Sequence, residues 1–481
     1  MEKNKLFEIL STFTPKEFEN FGLFLDSPFL NSSELARNFY KLYSKHFPVF
    51  DNKALGKEEL YKKLYPGTEF RDKRLRDIYS KTLELAEYYL GFLRIKNDEA
   101  LLGQTSLEEI ASRGLTKHFS QKSRELSRML SKWVIKDSNF LYNSYYLAKQ
   151  ERQYYQAKKN MAKQEEFYLS EGVERHYFIL YFASVMLEYF IDGQINLMLV
   201  KYDAKFEMIE EILRYLELKD LEQYPQILAM YYGMLLSRNT DLPDLYGRLK
   251  TLLLDRTSEI DIGVLRRCSV ILYNHAKEKS LKKEPFFMKE NFDLMKLITE
   301  KGFYPVENGF MNEMSYLATI GEGLIHKDFD WTLKFIKEFR EKVRPEGREN
   351  AYLFATAVFD YRIQKYSSAL EKLAMVKTDD IFYTLRVKNN QVKIHVETKE
   401  YELAERVISS FRRFLQHDKL ITDFIRNRFL GYLSFTSKLI SAIQDKNRTE
   451  LAVLKTEISK AKDIENQKWM LDQVDCALAM R

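Results

Sequence analysis

Two short stretches bring together residue types from which chemistry is built. Ser32-Ser33-Glu34, inside LDSPFLNSSEL (25–35), sets two hydroxyls beside a carboxylate, and His395-Val396-Glu397 has the H-x-E spacing used at deaminating zinc sites. Neither is completed nearby. A nucleophilic serine needs a base held against it, and no histidine accompanies Ser32 or Ser33. The H-x-E pair lacks a downstream P-C-x-x-C, so a pair on a helix surface is the reading. The seven histidines stand singly, at 46, 118, 176, 275, 326, 395 and 417, and Cys268 and Cys476 are far apart, so no ligand set for a metal and no disulfide framework is indicated. There is no phosphate-cradling glycine loop, no G-x-S-x-G elbow and no H-E-x-x-H helix. The expectation is therefore no catalytic residues, no cofactor and no metal.

Charge is distributed unevenly. Between Arg113 and Lys163 there are 12 Lys+Arg against 3 Asp+Glu, whereas the whole chain carries a net charge of only +6. On a helical wheel Lys117, Arg124 and Arg128 fall within about 60°, opposite an apolar face of Leu115, Phe119, Leu126, Leu130 and Trp133. Lys149, Arg152, Lys159 and Lys163 fall within about 80°, and Tyr142 and Tyr145 share that arc. Cations interleaved with aromatic rings can neutralise phosphates and stack bases, so this is a candidate surface for a partner or for nucleic acid. A second candidate is the hairpin of residues 57–76, where Tyr65-Pro66-Gly67 separates a short helix from one carrying Arg71, Lys73, Arg74 and Arg76, the outline of a helix-turn-helix.

The elements that carry these residues are helices. Nine Pro and 17 Gly in 481 residues leave few positions for hairpin turns, and no alternating run bounded by turns stands out. The breaks share a device of apolar residue, cap, two residues, Glu, apolar residue. In FTPKEF (13–18) Thr14 caps, Pro15 opens the helix and Glu17 reaches back. In LNSSEL (30–35) Asn31 caps and Glu34 reaches back, while Pro28 ends the preceding helix; LGKEEL (55–60) is a weaker copy with Gly56 as cap. The serines thus belong to a joint. Thr105-Ser106 opens a further capped helix, and long helical patterns then run on, interrupted near Asp241–Pro243, Lys279–Pro285, Gly302–Gly309 and Pro345–Asn350. The apolar stretch 177–191 contains Glu188 and falls short of a membrane span, so it reads as a buried helix.

In the C-terminal third DFDWTLKFI (328–336), KYSSALEKL (365–373) and EYELAERVI (400–408) align on Phe329, Tyr366 and Tyr401, each followed three positions later by a small residue, Thr332, Ala369 or Ala404. An aromatic wedge with a small residue one turn on allows close packing of a helical hairpin. With spacings of 37 and 35 residues, this resembles the tetratricopeptide family over about residues 311–418, although the turn glycine and the family's Trp and Leu-Gly signature are missing. FLDSPFLN (24–31), KEELYKKLYPG (57–67) and DKRLRDIYS (72–80) resemble an uncharacterised helical family of Bacteroidota.

The combined expectation is an all-α chain, with an N-terminal helical module (1–100), irregular helical hairpins (101–310) and tetratricopeptide-like repeats (311–481) forming a solenoid. The function expected is that of a non-enzymatic cytoplasmic scaffold or adaptor for a protein partner, away from any membrane. Nucleic-acid binding or regulation through 113–163 or 57–76 is the alternative.

Overall fold

In a computed structural model, residues 4–50, 56–157, 164–199, 207–238, 243–378, 380–418 and 421–479 are described. The fold is all-α: among these residues there are 23 α-helices and no strand, only two isolated bridges. The chain divides into two compact units, Met1–Met186 and Leu187–Arg481.

The first unit opens with α1 (Lys5–Leu10), α2 (Pro15–Asp26), α3 (Glu34–Tyr43), α4 (Lys57–Leu64) and α5 (Asp72–Asn97). Its core is built largely of rings, among which Phe21, Phe39, Tyr61 and Tyr89 are almost wholly buried. At α2 the expected capping box forms: Thr14 Oγ1 accepts from Glu17 N, and the Glu17 carboxylate accepts from Thr14 N at 2.8 Å. At α3 the sequence expectation needs correction. The cap is Ser33, whose hydroxyl accepts from Ala36 N at 3.2 Å, and Glu34 is the first helical residue and not the third. Asn31 is instead buried, donating to Leu25 O at 2.9 Å and to Ser33 O at 3.1 Å while accepting from Ser33 N at 2.8 Å. An asparagine that satisfies two backbone carbonyls and an amide in the connection cannot also serve the helix two residues on. Gly56 caps α4 as expected, and Leu55 lies outside the described residues.

The same unit continues with α6 (Glu99–Ser112), α7 (Thr116–Leu130), α8 (Ser138–Ala157) and the first part of α9 (Gln164–Leu199). No helix starts at Thr105-Ser106. Asp98 caps α6, accepting from Leu101 N at 3.0 Å, and the two hydroxyls bond back to Leu101 O and Leu102 O in mid-helix. Hydroxyl residues favour caps but are free to point such bonds at the preceding turn. Nor is the 177–191 stretch fully buried. Leu180, Ala183, Leu187 and Phe190 are covered, whereas Phe178, Phe182 and Tyr189 are exposed, so α9 is apolar on faces that the chain does not enclose. By length and mean hydropathy the wider segment Tyr168–Ile195 passes as a membrane span, with a third of it buried, a test that core helices of soluble proteins also pass.

The second unit contains α10 (Ile209–Glu217), α11 (Pro225–Arg238), α12 (Pro243–Asp255), α13 (Ile262–Leu281), α14 (Pro285–Lys301), α15 (Glu313–Ile325) and α16 (Phe329–Phe339), then α17 (Pro345–Arg362), α18 (Tyr366–Met375), α19 (Ile381–Glu397), α20 (Tyr401–His417), α21 (Asp423–Gln444), α22 (Arg448–Lys460) and α23 (Gln467–Ala479). Pro345 does not interrupt a helix but opens α17, where its fixed φ and missing N–H cost nothing. Phe329, Tyr366 and Tyr401 are the first residues of α16, α18 and α20, and Thr332, Ala369 and Ala404 have no exposed surface. The joint before each has one form. Lys327, Gln364 and Lys399 take left-handed backbone (φ 58°, 63° and 62°), and the next amide returns to the carbonyl five residues earlier: Asp328 N to Gly323 O, Lys365 N to Asp360 O, Glu400 N to His395 O. Lys283 and Lys446 repeat this at the α13–α14 and α21–α22 turns. This is the Schellman closure, built without glycine. Two hydrophobic clusters fill the hairpins, one over Met311–Ile394 and one over Leu385–Val474, both drawing on α19.

Candidate partner-binding groove

A groove of about 1230 Å³ runs along faces of α15, α17 and α19 and is bounded by the start of α21 and by residues 465–472. Its α15 wall exposes Met314 and Ile325, with Leu317, Ile320 and Leu324 buried and Gly321 among them, and α17 adds the part-buried Val358 and the buried Phe354. A Cβ at Gly321 would meet nothing within 4 Å, so the groove is open above it.

Helix α19 changes the chemistry. Phe382, Arg386, Asn389, Asn390 and Lys393 recur at three- and four-residue steps and line the groove from one face. The Arg386 guanidinium lies 3.9 Å from the Phe382 ring centroid, and the Lys393 ammonium 5.9 Å from that of Trp469. Among the described residues neither cation makes an ion pair, which is unusual for partly buried charge. Burial, with the Arg362 guanidinium next in effect, brings the Lys393 ammonium down to about 8, and burial also lowers Arg386.

Two of the acids nearby are already engaged. Glu397 accepts from Tyr361 Oη at 2.6 Å, Tyr366 Oη at 3.0 Å and Trp469 Nε1 at 2.7 Å. Glu465 accepts from Arg428 at 2.8 Å, and Asn466 donates to Asn389 Oδ1 at 2.6 Å. These bonds fix the wall. They also settle the H-x-E pair: Glu397 faces three donors, His395 Nδ1 lies 2.7 Å from Glu400, and the two side chains do not converge on one point. Among the described residues no group of three or more His, Cys, Asp or Glu is placed to hold a metal ion. Cys268 is fully buried with its thiol pushed up to about 12, which leaves little thiolate at neutral pH.

The basic surface read from the sequence is split. Phe119 of α7 stacks on Tyr154 of α8 at 3.8 Å and Ser123 bonds to Glu151, so α7 turns its apolar side to α8 and Lys117, Arg124 and Arg128 lie exposed on the other side. On α8, Tyr145 packs on Phe178 at 5.3 Å and Tyr142 on Tyr181 at 5.5 Å; Lys149 lies over Tyr145, and Arg152 is ion-paired with Glu174. Tyr142 is exposed, Tyr145 half-buried, and Lys159 and Lys163 lie outside the described residues. In the 57–76 hairpin, seven residues separate α4 from α5, more than the three or four of a helix-turn-helix. Arg71, Lys73, Arg74 and Arg76 are exposed, but Arg76 pairs with Asp72 at 3.0 Å and Arg74 lies 5.7 Å from the Tyr65 ring centroid.

The groove residues Arg386, Asn389 and Lys393 are absent from the sequence reading. Their signal is a polar stripe on a helix whose other faces carry Tyr383, Val387, Val392, Ile394 and Val396, all buried. A helix covered on its remaining faces does not need a solvated one, so polar residues there mark a lined cavity. No family model, no curated protein and no solved structure matches the chain.

Proposed function

We propose that the protein is a non-enzymatic scaffold or adaptor of the cell interior, built from tetratricopeptide-like helical hairpins, which holds an extended segment of a protein partner in the groove of α15, α17 and α19. The observation that carries the reading is the groove itself: apolar on two helices, polar on the third, and open above Gly321. Its walls come from successive hairpins closed by one kind of joint, as in repeat proteins that bind along a continuous helical surface. The likeness of 24–31, 57–67 and 72–80 to a Bacteroidota family fits a bacterial source and supplies no activity.

The test is a selection of random dodecapeptides, displayed on phage, against the immobilised full chain. Enriched peptides should bind the parent and lose at least tenfold in affinity to Gly321→Trp, which adds a bulky ring to the groove from a position where a Cβ meets nothing within 4 Å. Peptides that bind Gly321→Trp as well as the parent place the partner elsewhere. A second reading, nucleic-acid binding, draws on the exposed Lys117, Arg124 and Arg128, none of which makes an ion pair among the described residues. It requires low-salt binding of a mixed oligonucleotide pool that weakens when Lys117 and Arg124 are changed to Ala.

A further inference from the structure

Helix α19 brings two cations to the groove, Arg386 and Lys393, and neither makes an ion pair among the described residues, although Glu465 lies near enough to attract both. Arg386 lies against the face of Phe382, and Lys393 near Trp469 at the edge of cation–π range. Glu397 is held by three donors and Glu465 by Arg428, which weakens what either offers the two cations. A partly buried charge without a partner is costly to keep, and a ligand that supplies the missing charge recovers that cost as affinity. The two cations are seven residues apart on one helix face, about 10 Å along its axis. Arg386 leans back over Phe382, one turn nearer the N-terminus, so the cations do not converge on one group.

We propose that the groove takes a partner segment carrying two carboxylate side chains about three residues apart, one against Arg386 and one against Lys393, with apolar side chains between or beside them on the α15 and α17 walls. An extended chain advances about 3.3 Å per residue, so three residues cover the interval. Lys327, Arg362 and Lys468 join the two α19 cations in the lining against Glu465 and Asp472, so the groove's net charge suits an acidic segment, and the two wall carboxylates disfavour denser negative charge. Apolar anchors beside the acids follow from the exposed Met314 and Ile325 of α15 and the part-buried Val358 of α17. The inference rests on the peptide-binding reading above and adds the chemistry of the peptide.

The same phage selection tests it, read by composition. Peptides enriched on the parent should contain Asp or Glu pairs two to four positions apart, several-fold above the starting pool, next to Leu, Ile, Phe or Val. Synthetic peptides from that pool should bind about tenfold more weakly to Lys393→Met and to Arg386→Gln. Replacing one acid of the pair by Asn or Gln should abolish the effect of one substitution and leave the other. Rising salt should weaken parent binding more than binding by either variant, a comparison that holds even if a variant is less stable. Enriched peptides that are apolar but not acidic, and that are lost on Gly321→Trp, overturn the carboxylate assignment and leave the groove reading standing. Absence of any enriched peptide overturns both. Displacement of a bound peptide by an oligonucleotide pool or by a phosphopeptide at lower concentration than by its unphosphorylated acidic counterpart also overturns the assignment.

Discussion

Replacing Lys393 by methionine should stabilise the protein at neutral pH, in a way that pH can diagnose. Methionine keeps the unbranched stem and removes the ammonium. In the folded chain that ammonium titrates at about 8, against an ordinary value of about 10.4 in an unfolded chain, a gap worth ~3 kcal/mol. The sign follows from proton counts. Between pH 8 and pH 10.4 the unfolded chain still holds the proton that the folded chain has released, so parental stability rises across that window, and below pH 8 the full penalty is present. Loss of the Trp469 contact returns about 0.5–1 kcal/mol, leaving a net gain of about 2 kcal/mol at pH 7. Tyr361 and Tyr432 are also shifted upward by burial, but they titrate alike in both proteins and cancel in the difference. Urea titrations followed by circular dichroism at pH 7, 8, 9 and 10 give the two stabilities. The advantage of Lys393→Met should shrink as pH rises and be nearly gone at pH 10.5. A constant offset, or a variant weaker than the parent at pH 7, refutes the claim that Lys393 is an unpaired buried charge.

Gly323→Ala should cost about 1–3 kcal/mol by overpacking, because its new Cβ would sit within bonding range of Thr332 Oγ1 across the α15–α16 hairpin, and the helix-propensity gain of about 1 kcal/mol does not offset that. Adding Thr332→Ala should restore most of the melting temperature, and a double variant no better than Gly323→Ala would rule out that contact as the cause. Gln364→Gly and Lys399→Gly should each stabilise by about 0.5–1 kcal/mol in denaturant titrations, since glycine relieves left-handed strain while adding freedom to the unfolded chain; a loss in both would mean the joints are not left-handed. At the α3 joint, Ser32→Ala should be near neutral and Ser33→Ala should cost ~1 kcal/mol, with Asn31→Ala costing more because it leaves buried backbone groups unpaired. If Ser32→Ala is the worse serine variant, the cap has been misassigned.

What could be read from the sequence follows the range of the forces involved. Helix class, the Thr14 cap, the Gly56 start and the repeat aligned on Phe329, Tyr366 and Tyr401 are local, each decided within a turn or two of chain. The assignment of Asn31 as a cap failed because a carbonyl six residues earlier, Leu25 O, competes for its side chain. Thr105-Ser106 failed for a related reason, since hydroxyls suit a cap and a mid-helix back-bond almost equally. The groove was invisible because Arg386 and Lys393 acquire meaning only from Glu397 and Glu465 being occupied by residues as distant as Trp469 and Arg428. The tyrosines of the basic surface were read as base-stacking faces, and two of them stack on α9 instead.

The five left-handed joints fall at residues 283, 327, 364, 399 and 446, so the intervals between them are 44, 37, 35 and 47 residues. The first interval is long because eleven residues link α14 to α15, and the last because α20 and α21 run to 17 and 22 residues. The turn that reverses the chain is thus the constant part of the design, and length is added on its far side, in helix ends and return links. A hairpin can gain or lose residues there without rebuilding its reversal. An inserted epitope or reporter should therefore be tolerated in the α14–α15 link, whereas a single-residue insertion at Gln364 or Lys399 would rotate every following side chain of the second helix by about 100°.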